Sequence, residues 1–191
     1  MKRVILCHRW GGSPDSVWYP WAQRELERQG FNVEIPAMPD PDQPRLERWL
    51  PALSDAVGNP DAHTILVGHS LGCANILRYL EQLGGEGRVG GAVLVAGFAD
   101  SMNNEEIASF FETPFDYTAI RSRCRAFVAI HSNDDPAAAP DYLRHAMGFM
   151  DSLRARVVLI PGGGHFSEGE GCTELPDVIL AVEYLGSLRD E

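Results

Sequence analysis

Short runs rich in apolar and β-branched residues alternate along the chain with segments in which apolar residues recur every three or four positions. Runs of the first kind are typical of strands buried in a parallel sheet, and the second spacing is typical of amphipathic helices. The short runs predict six strands, at 4–7, 32–35, 64–67, 92–96, 126–130 and 157–160. The helical spacing predicts helices between them, at 17–26, 46–57, 74–83, 140–153 and 176–188.

This alternation predicts an α/β fold, a three-layer α/β/α sandwich in which helices cover both faces of a mostly parallel, six-stranded sheet. The chain has 191 residues, 45% of them hydrophobic, which suits one domain over 1–191 with a sizeable core. In such a sheet the reactive groups are expected on loops at the carboxyl ends of the strands. Candidate chemistry should therefore be sought in those loops.

The net charge and the cysteine content limit the binding partners and the cellular compartment that we expect for this protein. Sixteen basic and 27 acidic residues give a net charge of -11, which repels nucleic acid and anionic membrane surfaces, so we expect neither as a partner. We also expect no signal peptide and no membrane span, because no apolar run has the required pattern. The four cysteines lack metal-ligand spacing, which predicts free thiols in a cytoplasmic protein without metal or cofactor: Cys7, Cys73, Cys124 and Cys172.

The strand predicted over 64–67 runs into the sequence G-x-S-x-G at 68–72. With a strand before it and a helical pattern after it, this sequence is typical of a nucleophile elbow. The two glycines are needed because backbone segments press together in so sharp a turn. We therefore predict that Ser70 is a nucleophile. The alternative is an ordinary strand-to-helix turn with an incidental serine.

A serine nucleophile needs a base, and the base needs a third group, usually a carboxylate, to hold it in one tautomer. His165 alone follows a late strand directly, and the glycines of its loop over 161–166 can bend the chain over the sheet edge. The other histidines precede a strand, end early strands, or lie in the elbow or a predicted helix: His8, His63, His69, His131 and His145. His165 is the predicted base.

The acid should lie between Ser70 and His165 in the chain, which is the order of α/β-hydrolases. Asp134 and Asp135 follow the fifth predicted strand, and adjacent residues in a loop point in different directions, so either could hold the imidazole. Asp100, after the fourth predicted strand, is a third candidate. The residue pattern by itself leaves this choice open.

Acyl transfer also needs two backbone N–H groups aimed at the oxyanion. Leu71 is the first candidate, because it directly follows the nucleophile at a helix start, where the helix dipole favours an anion. The second donor is expected in the loop over 8–13, after the first strand, and Trp10 is our candidate. A flexible turn would also explain the two glycines of this loop, but its position favours the oxyanion role.

With these residues placed, the chain resembles the small serine hydrolases of the retinoblastoma-binding protein 9 and YdeN-like family, within the α/β-hydrolase superfamily. The resemblance covers nearly the whole chain. Its motifs are W-Y-P-W at 18–21, M-P-D-P at 38–41, W-L-P at 49–51, G-H-S at 68–70, F-F-E-T-P-F at 110–115, S-N-D-D-P at 132–136 and G-H-F at 164–166. The family pattern places the triad acid directly before a proline, which implies Asp135 rather than Asp134.

Two features depart from the expected pattern. Arg9 stands where many α/β-hydrolases have a glycine, which affects the second oxyanion donor and the entrance to the site. The proline at 140 comes one residue later after Asp135 than the family pattern would suggest, which affects the register of the acid.

Residues 98–124 are the only stretch that could supply a lid. Their aromatic residues could line an acyl pocket or pack a helix on the sheet: Phe98, Phe110, Phe111, Phe115 and Tyr117. With so small a lid the fold should be a compact α/β-hydrolase with a shallow, open site. We therefore predict a carboxylesterase-like enzyme for short to medium acyl esters, with thioesters and amides as further candidate substrates.

Two other functions fit parts of this sequence. One is a protein-interaction module that keeps the scaffold with little or no turnover, although the sequence identifies no protein partner and 71–75 lacks the glutamate of an L-x-C-x-E motif. The other is a dehalogenase or epoxide hydrolase, which would use an aspartate nucleophile. Ser70 argues against the second, and a complete triad would argue against the first.

Overall fold

The computed structural model describes residues 2–188, which form a twisted sheet between two layers of helices. The strands β1 to β6 span Arg3–Cys7, Asn32–Glu34, Thr64–His69, Gly91–Val95, Phe127–Ser132 and Arg156–Ile160. The helices α1 to α6 span Tyr19–Arg28, Leu46–Val57, Leu71–Gln82, Tyr117–Arg123, Arg144–Leu153 and Pro176–Ser187. Short 3₁₀ segments lie at Glu105–Phe110, Pro136–Ala138 and Glu168–Glu170.

The described strands pair in the order β2-β1-β3-β4-β5-β6, and every pair is parallel. Helices α1 and α6 pack on one face and α2 to α5 on the other, which confirms the predicted α/β/α sandwich. The chain runs outward from β1 to β2 and then crosses back to β3. Ligands of such sheets bind where the strand order reverses in this way, so the crevice between the carboxyl ends of β1 and β3 is the expected site.

The inner strands are buried on both faces, which is why they read as continuous apolar runs. Along β3, Leu66 faces the core under α2 to α5, whereas Ile65 and Val67 face the core under α1 and α6. The edge strand β6 has only exposed and half-buried residues. Every residue of β3, which carries the elbow, is buried, as is every residue of β4 and β5.

Two helices differ from the prediction. The helix predicted from 140 begins at Arg144, after a turn in which Arg144 donates its N–H to the carbonyl of Asp141 at 3.2 Å. Helix α4 was not predicted, since it has seven residues with a single buried side chain, Ile120. Its start is fixed locally, because Asp116 accepts two backbone N–H groups there.

The segment over 98–124 packs on the helices α2, α3 and α5 rather than standing away from the fold. Phe98, Phe110 and Phe115 are buried in the core on that face, and Phe111 and Tyr117 pack against it. These aromatic residues are therefore part of the core packing rather than the lining of an acyl pocket. No helix among residues 2–188 is long and apolar enough to cross a membrane.

Candidate active site

Ser70 lies at the tip of the turn between β3 and α3. Its backbone has φ 55° and ψ -120°, a conformation that L-residues adopt only under strain. The turn is held because Ser70 donates its N–H to the carbonyl of Val95 on the neighbouring strand at 2.8 Å. The side chain is thereby presented at the sheet edge, with the residue as a whole 7% exposed.

The two glycines of the elbow are required by space. A Cβ atom on Gly68 would lie 2.8 Å from the backbone of Cys73, and one on Gly72 would lie 2.2 Å from the carbonyl oxygen of Cys7. The second contact joins the start of α3 to the end of β1. Glycine at 72 thus allows the elbow and the loop after β1 to approach each other.

His165 and Asp135 complete a hydrogen-bonded chain to this serine. His165 Nε2 lies 2.8 Å from Ser70 Oγ. The other ring nitrogen, Nδ1, lies 2.8 Å from Asp135 Oδ2 and 3.0 Å from Oδ1. Because a carboxylate only accepts, Nδ1 carries the proton and Nε2 is free to accept the serine hydroxyl proton. Asp135 is 4% exposed, so this orientation is held out of water.

Asp134, the other candidate acid, contacts the loop of the base instead of its ring. Its Oδ1 accepts the N–H of Gly164 at 2.9 Å and the hydroxyl proton of Ser132. The hydrogen bond from Ser132, followed by the one from Gly164, lowers the pKa of the Asp134 carboxyl below its usual value. Asp134 therefore stays an acceptor that anchors the loop.

Two neighbours of Asp134 hold the same loop. Ser132 Oγ accepts the N–H of Gly163 at 3.0 Å, and Asn133 Oδ1 accepts the N–H of Gly162 at 3.0 Å. Three successive side chains at the end of β5 thus bind three successive backbone amides before His165. The residue pattern alone does not predict this contact, although the paired runs S-N-D and G-G-G are its visible signal.

The carbonyl of His165 is held from the opposite side by His69. His69 Nε2 lies 2.9 Å from that carbonyl oxygen, and His69 Nδ1 lies 2.7 Å from the hydroxyl of Tyr19. Since a carbonyl only accepts, Nε2–H donates to it and Nδ1 accepts the Tyr19 proton. The Tyr19 oxygen in turn accepts the N–H of Arg9 at 3.2 Å. Burial lowers the pKa of His69 well below its usual value, which keeps the ring neutral.

His8 fixes the loop after β1 in a similar manner. Its Nε2 accepts the N–H of Met38 at 2.9 Å, so its Nδ1–H donates to the carbonyl of Arg9 at 2.8 Å. Burial lowers the pKa of His8, which maintains the neutral ring that this pattern needs. Neither His8 nor His69 is the predicted base, and both instead bind backbone beside the site.

A cavity of about 350 Å³ opens over the serine. It is lined by Arg9, Trp10, Gly11, Ser70 and His165. Leu71 begins α3 directly behind Ser70, so its N–H has no acceptor within the helix. Both predicted oxyanion donors, Leu71 and Trp10, therefore lie beside the serine.

The remaining candidates from the sequence lie elsewhere. Asp100 pairs with Arg144 at 3.1 Å rather than with His165. His63 is exposed before β3, His131 is buried at the end of β5, and His145 lies in α5. The structure therefore brings together Ser70, His165 and Asp135, and leaves Asp100 and these histidines outside the chain of hydrogen bonds.

Known proteins are similar to this chain in sequence and in fold. The family model described as serine hydrolase matches residues 4–183. YdeN of Bacillus subtilis (strain 168) is 36% identical over 178 residues, which cover 93% of this chain and 92% of YdeN. The serine hydrolase RBBP9 of Rattus norvegicus is 29% identical over 186 residues, which cover 95% of this chain and 94% of RBBP9.

The fold agrees with these matches. The crystal structure of the ydeN gene product from B. subtilis has a TM-score of 0.91 at 34% identity, over 98% of this chain and 100% of that chain. The family model spans most of this chain, and the likeness to YdeN extends over nearly the full length of both proteins. The chain therefore belongs to the serine hydrolase family, with YdeN and RBBP9 as relatives and the α/β-hydrolase fold.

Proposed function

We propose that this hydrolase is a carboxylesterase-like enzyme that cleaves short to medium acyl esters, with Ser70 as nucleophile, His165 as base and Asp135 as the acid. One observation carries the proposal. The strained Ser70 hydroxyl lies 2.8 Å from His165 Nε2, while Asp135 holds the opposite ring nitrogen at 2.8 Å. This arrangement is the one that converts a serine hydroxyl into a nucleophile.

In the proposed mechanism, His165 Nε2 takes the proton of Ser70 as Oγ attacks the ester carbonyl carbon. Asp135 stabilises the imidazolium that forms, and His165 then protonates the departing alkoxide, which leaves as an alcohol. Water enters, gives a proton to His165 and attacks the acyl carbon. The Ser70 oxygen recovers its proton from His165 as the carboxylic acid leaves.

The tetrahedral oxyanion would be bound by the backbone N–H groups of Leu71 and Trp10. The position of Leu71 at the start of the twelve-residue helix α3 supports its role, because the unpaired N–H groups and the dipole both favour an anion there. Trp10 lines the same cavity as Ser70, and its indole Nε1 donates to the carbonyl of Asp42 at 3.1 Å, which helps to fix the loop.

The preference for short to medium acyl groups is supported by the size of the cavity, about 350 Å³. The apolar surface that could bind a longer chain is used in the core, where Phe98, Phe110 and Phe115 are buried. Thioesters and amides are further substrates of the same proposal. The free cysteines among the described residues support a reducing, cytoplasmic location as part of it.

The decisive test is labelling with a fluorophosphonate probe, which reacts with activated serines. We expect wild type and Ser122→Ala to label and Ser70→Ala to remain unlabelled; Ser122 is an exposed control on α4. Equal labelling of wild type and Ser70→Ala, or no labelling of wild type, would refute the nucleophile.

Turnover of p-nitrophenyl acetate, butyrate and palmitate tests the acyl range. The preference is wrong if palmitate has the highest kcat/KM. An interaction module without turnover would hydrolyse none of the three. Its L-x-C-x-E route gains no support from 71–75, because all five residues are buried in α3.

A further inference from the structure

We infer that Arg9 binds a carboxylate of the substrate, so that the preferred esters carry an anionic group beside the scissile bond. This inference rests on the proposed function of Ser70 and names the substrate class of the same site. Arg9 lines the cavity together with Ser70 and His165, and it is the one permanently charged side chain among the described residues that line it. Its side chain is 22% exposed, so part of it is open to solvent and ligands.

The guanidinium is held in place on one side and incompletely bound on the other. Nη1 donates to the carbonyl of Trp10 at 2.8 Å, which fixes the group against the cavity wall. On the opposite edge, Nη2 pairs with one oxygen of Glu168, whereas Nε is buried and has no acceptor among residues 2–188. A buried N–H without a partner is costly, and an acceptor that reached it would recover that cost.

The edge formed by Nε and Nη2 is suited to a carboxylate. The two N–H groups are parallel, and a carboxylate binds them with both oxygens in a bidentate pair. Glu168 uses a single oxygen at Nη2 and leaves Nε unmet. Glu168 therefore shows that a carboxylate can bind at this edge of Arg9, but it leaves Nε without an acceptor.

Glu168 is also easily displaced. It lies on the short 3₁₀ turn after the His165 loop, and its side chain is 54% exposed, so its ion pair contributes little to stability. Its neighbour Glu170 cannot take its place, because Glu170 Oε2 accepts the N–H and hydroxyl of Ser167 at 2.9 and 2.6 Å. Among the described residues, Glu168 is therefore the carboxylate that a substrate would have to displace from Arg9.

The experiment compares two pairs of esters that differ by a carboxylate. In the first pair, mono-p-nitrophenyl succinate and p-nitrophenyl pentanoate differ on the acyl side. In the second pair, 4-carboxyphenyl acetate and phenyl acetate differ on the alcohol side. For wild type we expect the anionic member of at least one pair to have a kcat/KM about tenfold above its neutral partner, as a charge-assisted hydrogen bond gives.

Three variants and a control separate the contribution of Arg9. Arg9→Gln should lower this ratio about tenfold, and Arg9→Lys, which keeps the charge without the fork, should give an intermediate ratio. Glu168→Gln should raise kcat/KM for the anionic ester about threefold and leave the neutral ester unchanged, because the competing carboxylate is removed. Glu174→Gln, an equal charge change at an exposed position, should alter neither.

The inference is overturned if Arg9→Gln leaves both ratios as in wild type, or if Glu168→Gln behaves like Glu174→Gln. It is equally overturned if wild type hydrolyses the neutral esters and prefers them in both pairs, and the proposed esterase function then still stands. Failure of wild type to hydrolyse any of the four esters refutes the esterase proposal itself.

Discussion

His69 Nε2 donates a hydrogen bond to the backbone carbonyl of His165 at 2.9 Å, so the residue before the proposed nucleophile holds the residue that carries the proposed base. The bond depends on the tautomer of His69. Tyr19 sets that tautomer, because its hydroxyl proton occupies the lone pair of Nδ1 and leaves the ring proton on Nε2. The loop after β1 joins the same network through the N–H of Arg9.

Tyr19→Phe should therefore impair turnover more than substrate binding. Without the hydroxyl, His69 gains access to the tautomer that directs a lone pair at the His165 carbonyl, and the base loses its anchor. We expect kcat for p-nitrophenyl acetate to fall about tenfold with KM changed less than about twofold, since positioning acts on the chemical step. Tyr142→Phe, at an exposed tyrosine, is the control. An unchanged kcat in Tyr19→Phe would remove this role.

Substitutions of the two adjacent aspartates should have clearly different effects on kcat. Asp135→Asn places an amide against His165 Nδ1 and favours the wrong tautomer, which costs about 10⁴-fold in kcat in the serine-protease precedent. Asp134→Asn keeps an amide oxygen that can accept the N–H of Gly164, so we expect a loss of about threefold or less. Steady-state turnover of one short ester measures both. The assignment is reversed if the Asp134 change alone abolishes turnover.

The sequence predicted what depends on local patterns. The buried strands, the elbow at Ser70 and the position of His165 after β6 follow from short apolar runs and glycines, and the α/β sandwich follows from their alternation. The choice between Asp134 and Asp135 did not follow from the residues, because it depends on which side chain reaches a ring 30 positions away. The family resemblance supplied the preference for Asp135.

The hydrogen bonds that join Tyr19, His69 and the His165 carbonyl could not be predicted from the sequence, for a similar reason. The residues that they join are 50 and 96 positions apart in the chain, and no periodic pattern links them. The start of α5 at Arg144 follows a turn closed by the backbone hydrogen bond from Arg144 to Asp141, which the spacing of apolar residues does not reveal. In both cases the structure depends on hydrogen bonds that the apolar pattern does not encode.

Gly72 should be intolerant of even a methyl group. In Gly72→Ala the new carbon would lie 2.2 Å from the carbonyl oxygen of Cys7 and 2.8 Å from that of His8, so α3 must move away from β1. We expect the free energy of unfolding to fall by about 3 kcal/mol, as for overpacked cores. Urea denaturation measures the change.

The matched control is Gly84→Ala, because a Cβ at that exposed position meets nothing within 4 Å. Its free energy of unfolding should stay within about 0.5 kcal/mol of wild type. Equal unfolding midpoints for the two variants would contradict the close approach of α3 to the loop after β1.

His131 should make the fold sensitive to acid. It is 3% exposed, and burial, reinforced by nearby His145, lowers its pKa from 6.5 to about 4. Between these pH values the unfolded chain binds a proton that the folded protein excludes, so stability falls as pH decreases from about 6.5 to 4 and this contribution levels off below that. The loss expected from this histidine is about 3 kcal/mol.

His131→Phe removes the titration while keeping a ring beside Phe149, whose centroid lies 6.0 Å away. Urea unfolding of wild type and variant from pH 7 to 4.5 should give two curves whose separation changes with pH, wild type losing more stability on the acid side. The carboxylates and the other buried histidines, His8, His69 and His145, titrate in both proteins and cancel in the difference. Parallel curves over this range would mean that His131 has the same pKa in the folded and the unfolded protein, and that burial does not hold its ring neutral.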